Sequence, residues 1–178
     1  MTSRLQLDRD AAARLLDLLT QRLRAAGIDA HVHVVGGVAV GRIVPDARLT
    51  RDIDSAVATT SERQFDDAVA EIAIEEHLPG DWLNRSAAPW VPVAPQVRAG
   101  DGAHVTFATS DELIAMKLAA GRAQDVQDLI RIVQVLGLRD AASLVNIAFE
   151  QYGEENVTLT SREDLMLFAQ EIIDAADD

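Results

Sequence analysis

The chain has 178 residues, 48% of them hydrophobic, with a formal net charge of −13. These values fit one globular domain able to bury a core and exclude a fibrous or disordered class. The acidic balance argues against non-specific affinity for nucleic acid, which rests on phosphate neutralisation by Lys and Arg. The lack of cysteine excludes disulfides and thiolate metal sites. No run of about 18 apolar residues offers a membrane span, and the N-terminus has no signal-peptide core, so the expected setting is cytoplasmic with no membrane partner.

Asp8 is placed to cap a first helix whose apolar face is Leu15, Leu18, Leu19 and Leu23, with Gly27 where a C′ residue belongs. Residues 31–35, HVHVV, alternate and predict a first strand running into Gly36-Gly37. His31 and His33 share a face of it, and two histidines without a third ligand nearby read as the solvated side of a strand rather than a metal site. Residues 38–44 predict a short helix, ended by Pro45-Asp46, whose first amides can meet phosphate. The loop 47–51 carries Arg48, Thr50 and Arg51 into a second strand over 52–58.

Ser61 opens the next helix with Gln64 placed for a capping box, and Phe65, Val69, Ile72 and Ile74 supply its apolar side. Residues 78–102 hold four of the five prolines and both tryptophans, and predict a turn followed by an irregular loop or short edge strands. Trp82 and Trp90 read as plugs over the core more readily than as base-stacking platforms. A third strand follows over 103–109, then a helix capped by Ser110 that surrounds Lys117 with Leu113, Ile114, Met116 and Leu118. Gly121 breaks it, and a helix over 122–136 places Asp125 and Asp128 on one face, with Arg122 and Arg131 a turn away on either side. Helices over 140–152 and 161–175 close the chain, the second with Thr160 and Glu163 spaced as a capping box. The elements predict an α+β fold: a small mixed sheet flanked by helices, then a helical C-terminal half. Residues 1–178 read as one domain, with a sheet core over 28–110 and the helices of 110–178 packed on it.

The stretch from Val34 to Val57 carries the chemistry. Gly36 and Gly37 let backbone come close to phosphate, because no Cβ intervenes. Asp52 and Asp54, at i and i+2 on a strand, point to one side. Two carboxylates beside a triphosphate suit Mg²⁺ (or Mn²⁺), a hard cation that also takes phosphate oxygens. Arg48 and Thr50 are candidate phosphate contacts. Of sixteen basic residues only Lys117 is lysine, in a chain that otherwise uses Arg, which marks it as a place where a compact ammonium is needed. Each feature also has a plain reading: a chance Asp-x-Asp on the surface, a glycine turn, a snorkelling lysine, and Asp125 and Asp128 paired with Arg122 and Arg131 in a solvated salt-bridge network.

The Gly-Gly turn, the DID strand start, the DELIAMKLAAGR helix and the QDVQDL helix, in this order, resemble the nucleotidyltransferase superfamily, and within it the compact AbiEii-like branch that includes toxins of type IV toxin–antitoxin pairs. The segment GDWLNRSA is similar to compact members of that branch, and the resemblance covers roughly residues 30 to 140. It implies a minimal polymerase-β-like core and transfer of a nucleoside monophosphate from an NTP to an acceptor hydroxyl on tRNA or protein, with an antitoxin protein as a further partner. It assigns Asp52, Asp54, Lys117 and Asp128 to catalysis, Asp52 and Asp54 also to the metal, and Gly36, Gly37, Arg48, Thr50 and Arg122 to the nucleotide. The chain departs from the pattern at one point, since the strand 103–109 bears no acid, although Asp101 and Asp111 flank it. That departure leaves a catalytically silent nucleotide- or partner-binding module as the alternative, and transfer to a small molecule such as an antibiotic as a third reading.

Overall fold

The structure, a computed structural model, describes residues 6–45 and 49–177. Chain contacts divide it into two compact units, Met1–Arg42 with Asp46–Pro89 and Val93–Phe107, and Ile43–Pro45 with Trp90–Pro92 and Ala108–Asp178. The sequence reading of one domain drew its internal division at 110; the chain passes into the second unit at 108.

The first unit is a four-stranded mixed sheet with helices. Helix α1, Arg9–Ala25, starts where the Asp8 carboxylate accepts the Ala11 N–H at 2.8 Å, and buries Leu15, Leu16, Leu19 and Leu23 along one stripe. Strand β1 is Ala30–Val34, α2 is Gly36–Ile43, β2 is Ile53–Thr59, α3 is Glu62–Glu75, β3 is Leu83–Asn84 and β4 is Ala103–Phe107. The sheet order is β3-β2-β1-β4. β1 runs antiparallel to β2 and parallel to β4, while β3 adds parallel to β2 as a two-residue edge.

Register separates the two sides of this sheet. Val32, Val34, Ile53, Leu83 and Ala103 join α1 and α3 in one apolar core with Phe65 and Ile72. The other side carries Asp54, Ala56 and Ala58 of β2, His31 and His33 of β1, Asn84 of β3, and His104 and Thr106 of β4, because paired residues leave a sheet on the same side. Trp82 is fully buried, as its plug reading expects, and its indole N–H donates to the Val69 carbonyl at 3.1 Å, whereas Trp90 is 43% exposed and corrects the same reading made for it. The histidines correct the sequence reading: His33 is buried, and its Nδ1 and the Nε2 of His31 both meet the Thr106 hydroxyl, at 2.8 and 2.7 Å. They form a polar cluster within the sheet rather than a solvated edge.

The second unit contains α4, Ser110–Ala120, α5, Ala123–Leu136, α6, Ala141–Tyr152, and α7, Arg162–Asp177. α4 is buried from Leu113 through Leu118 and touches α5, α6 and α7, so it is the central helix of the unit. No single helix among the described residues is long and apolar enough to cross a membrane.

Three cap assignments shift. Thr109, not Ser110, caps α4: its hydroxyl accepts from Glu112 N–H at 3.2 Å, and the Glu112 carboxylate accepts from Thr109 N–H at 2.8 Å. β4 stops at Phe107, which leaves Thr109 extended and sets Glu112 three residues on. Ser61 makes no side-chain cap bond; its N–H instead donates to Thr59 Oγ1 at 3.3 Å, so the box with Gln64 does not form. At α7 the reciprocal pair is Ser161 with Asp164, at 2.9 and 3.1 Å, one residue beyond the expected Thr160 and Glu163.

Candidate functional site

Asp52 ends the loop before β2 and Asp54 is the second residue of the strand. Their carboxylates converge on one amide. The Nδ2 of Asn84 donates to Asp52 Oδ2 at 2.8 Å and stands 3.5 Å from Asp54 Oδ1. Helix α2 begins directly against this pair. Val35 N–H donates to the Asp54 carbonyl at 2.9 Å, and Gly36 follows with φ of +60°. A Cβ on Gly36 would lie 2.8 Å from both Cβ and Cγ of Asp54 and nearer still to Oδ2, so only glycine lets the helix start where the carboxylate stands. A Cβ on Gly37 would lie 3.2 Å from Thr50 Cβ and Oγ1. Thr50 itself is tied down: it exchanges backbone hydrogen bonds with Leu7 at 2.7 and 3.1 Å, and its hydroxyl donates to the Asp52 carbonyl at 3.1 Å.

Gly36, Gly37, Thr50, Asp52 and Asp54 are therefore brought together in the first unit, joined by Asn84. Arg48 lies outside the described residues. The donor set fits a hard divalent cation: carboxylate oxygens on one side of the sheet, with the first amides of α2, which have no partner within their own helix, beside them for phosphate. Among the described residues no group of three or more His, Cys, Asp or Glu side chains is arranged to hold a metal ion, and the β4 positions on this side of the sheet are His104 and Thr106.

In the second unit, Lys117 is 6% exposed, and its ammonium donates to Asp125 at 2.9 Å and Asp128 at 2.7 Å, which are 2% and 4% exposed. Arg122 Nε donates to the other oxygen of Asp125 at 2.7 Å. Gly121, in the left-handed region at φ +57°, turns the chain from α4 to α5 and lets these residues face one another. The ammonium is buried between its two carboxylates, while the Arg122 guanidinium reaches Asp125 from an exposed position. The solvated-network reading of Asp125 and Asp128 is thereby corrected: both are buried, and both are partners of Lys117.

Comparison with protein-family models, with curated proteins and with solved structures finds no match. The resemblance thus rests on the motifs alone, and the functional reading on the geometry just described.

Two features escaped the sequence reading. Asn84 lay inside a segment noted only for its likeness to compact nucleotidyltransferases; the pairing Ile53 with Leu83 and Asp54 with Asn84, which gives it meaning, exists only once β3 docks on β2. The polar row of His31, His33, His104 and Thr106 needs the parallel pairing of β1 with β4. The ring of His104 stacks on that of His31, centroids 4.5 Å apart, and burial pushes the pKa of His31 below its ordinary value. Arg85 is engaged by Glu62 at 2.8 Å and Asp66 at 2.5 Å, and Arg42 stacks over Phe107 at 4.0 Å.

Proposed function

We propose that this chain is a magnesium-dependent nucleotidyltransferase that moves a nucleoside monophosphate from an NTP to an acceptor hydroxyl on RNA or protein. The observation that carries the reading is the meeting of Asp52 and Asp54 at one amide, directly against the glycine start of α2. Carboxylates and helix-start amides are two kinds of group that suit a metal-bound triphosphate. Asp52 and Asp54 would hold the cation, which supplies charge neutralisation on the phosphates when bound. Gly36 and Gly37 let the first turn of α2 stand against Asp54 and Thr50, which sets its amides beside the cation, and Thr50 holds the loop that delivers Asp52.

In the transfer, the acceptor oxygen bonds to the α-phosphorus, the bond to the α–β bridging oxygen breaks, and pyrophosphate leaves with that electron pair. The hydroxyl proton passes to a base, for which Asp54 is the candidate. Most of the work is positioning and charge neutralisation, which this geometry favours. The resemblance implies functional roles for Lys117, Asp128 and Arg122 as well; within the second unit their contacts with one another and with Asp125 give them a structural role. It also motivates the role of growth-inhibiting toxin with an antitoxin partner.

The test is incubation with α-labelled NTPs, Mg²⁺ and total cellular RNA or lysate, beside an Asp52→Ala, Asp54→Ala double variant. Label found on RNA or protein with wild type and lost with the variant supports transfer. No transfer with any metal or acceptor favours the second reading, a silent binding module, for which the acid-free β4 side of the sheet, His104 and Thr106, speaks.

A further inference from the structure

We propose that Asn84 is the positioning residue of the carboxylate pair, and that its neutral amide sets the site to hold one divalent cation rather than two. This rests on reading Asp52 and Asp54 as the cation site. Asn84 lies opposite Asp54 in the parallel pairing of β2 and β3, so the two side chains rise from the same side of the sheet. Its amide reaches both acids, at 2.8 Å to Asp52 and 3.5 Å to Asp54.

The direction of that amide is fixed by its other end. Asn84 Oδ1 accepts the Ser86 N–H at 2.9 Å. A backbone N–H can only donate, so the oxygen must face Ser86 and the nitrogen must face the carboxylates. The main chain of Asn84 is held as well, since the buried hydroxyl of Ser55 donates to its carbonyl at 3.3 Å. The residue therefore delivers a donor to two acids from a clamped position, which draws together groups that repel one another before a cation arrives. Outer partners that orient metal ligands in this way typically change affinity by roughly 10- to 100-fold when removed.

Charge carries the second half. Asp52 and Asp54 bring two carboxylates to this space and Asn84 brings no charge, a ligand set that suits one divalent cation. An acid at position 84 would bring a third charge and a further oxygen ligand within reach of the same space, and a clamp on two cations needs ligands enough for both.

Titration of the full chain with Mn²⁺, followed by electron paramagnetic resonance, tests this without reference to turnover. Wild type is expected to bind one Mn²⁺ per chain. Asn84→Ala is expected to bind it roughly 10- to 100-fold more weakly, and Asn84→Asp to bind two. Unchanged affinity in Asn84→Ala, even with a lowered thermal midpoint, shows a merely structural asparagine and overturns the positioning role. A single ion in Asn84→Asp, or two in wild type, overturns the charge argument. Wild-type protein that binds no Mn²⁺ overturns the cation site itself and this inference with it.

Discussion

A single methyl group decides whether the carboxylate pair and helix α2 can meet. At Gly36 the backbone is left-handed and an added Cβ would lie 2.8 Å from Asp54 Cβ and Cγ, so Gly36→Ala combines strain with a collision against the carboxylate. The strain alone costs roughly 1–3 kcal/mol, read as a lower urea midpoint, and displacement of Asp54 is expected to abolish Mn²⁺ binding. At Gly37 the nearest atoms belong to Thr50 at 3.2 Å, and alanine gains up to about 1 kcal/mol of helix propensity, so Gly37→Ala is expected to be nearly neutral. Equal losses at the two positions would refute the asymmetry. Lys117 gives the second residue-scale test. Removing its ammonium in Lys117→Met takes a charged donor from each of two buried carboxylates, Asp125 keeping Arg122, a change expected to cost roughly 3–5 kcal/mol in chemical denaturation. Lys117→Arg keeps the charge, but a planar guanidinium does not replace a compact donor enclosed by Asp125 and Asp128. It is expected to destabilise the chain too; wild-type stability in Lys117→Arg would show that only charge matters there.

At the scale of elements, β1 and β4 together hold three of the four histidines, around Thr106. Burial, the largest influence on His31, lowers its pKa from 6.5, with the facing His33 and His104 rings acting in the same direction and the Gln96 carbonyl opposing. The folded state therefore binds fewer protons at this position than the unfolded chain. Its contribution to stability is present above pH 6.5 and is lost as pH falls below that value. Urea unfolding at pH 7.5 and 5.5 is expected to show lower stability at the acidic pH, with a smaller difference in His31→Gln; an identical difference in that variant would remove His31 as the source. The elements themselves were largely legible. Period-3.6 stripes gave α1 and the Phe65, Val69 and Ile72 side of α3, though Ile74, read into that side, is 75% exposed, and alternation gave β1 and β4, because burial on one side imposes those spacings. The caps were less so: Ser61 and Thr160 have suitable neighbours in sequence, yet α3 has no side-chain cap bond and at α7 the bonds run between Ser161 and Asp164.

At the scale of the whole molecule, the α+β architecture followed from strands interleaved with helices ahead of an all-helical stretch, whereas the edge strand Leu83–Asn84 did not, since two residues carry no period. Asp52, Asp54 and Lys117 stood out by residue type, while Asn84 became visible only through tertiary pairing. The net charge of −13 also bears on the acceptor, because an acidic molecule holds RNA only through local cations. If RNA is the acceptor, replacing Arg42 and Arg98 should flatten the salt dependence of binding; an unchanged slope removes RNA. The most direct test of the carboxylate site is paired labelling with α- and γ-labelled NTP and Mg²⁺ in cell lysate. Nucleotidyl transfer gives acceptor label from the α-position only, with labelled pyrophosphate from the γ-position, and neither product from the Asp52→Ala, Asp54→Ala variant. Acceptor label from the γ-position, or undiminished α-label in the variant, would contradict it.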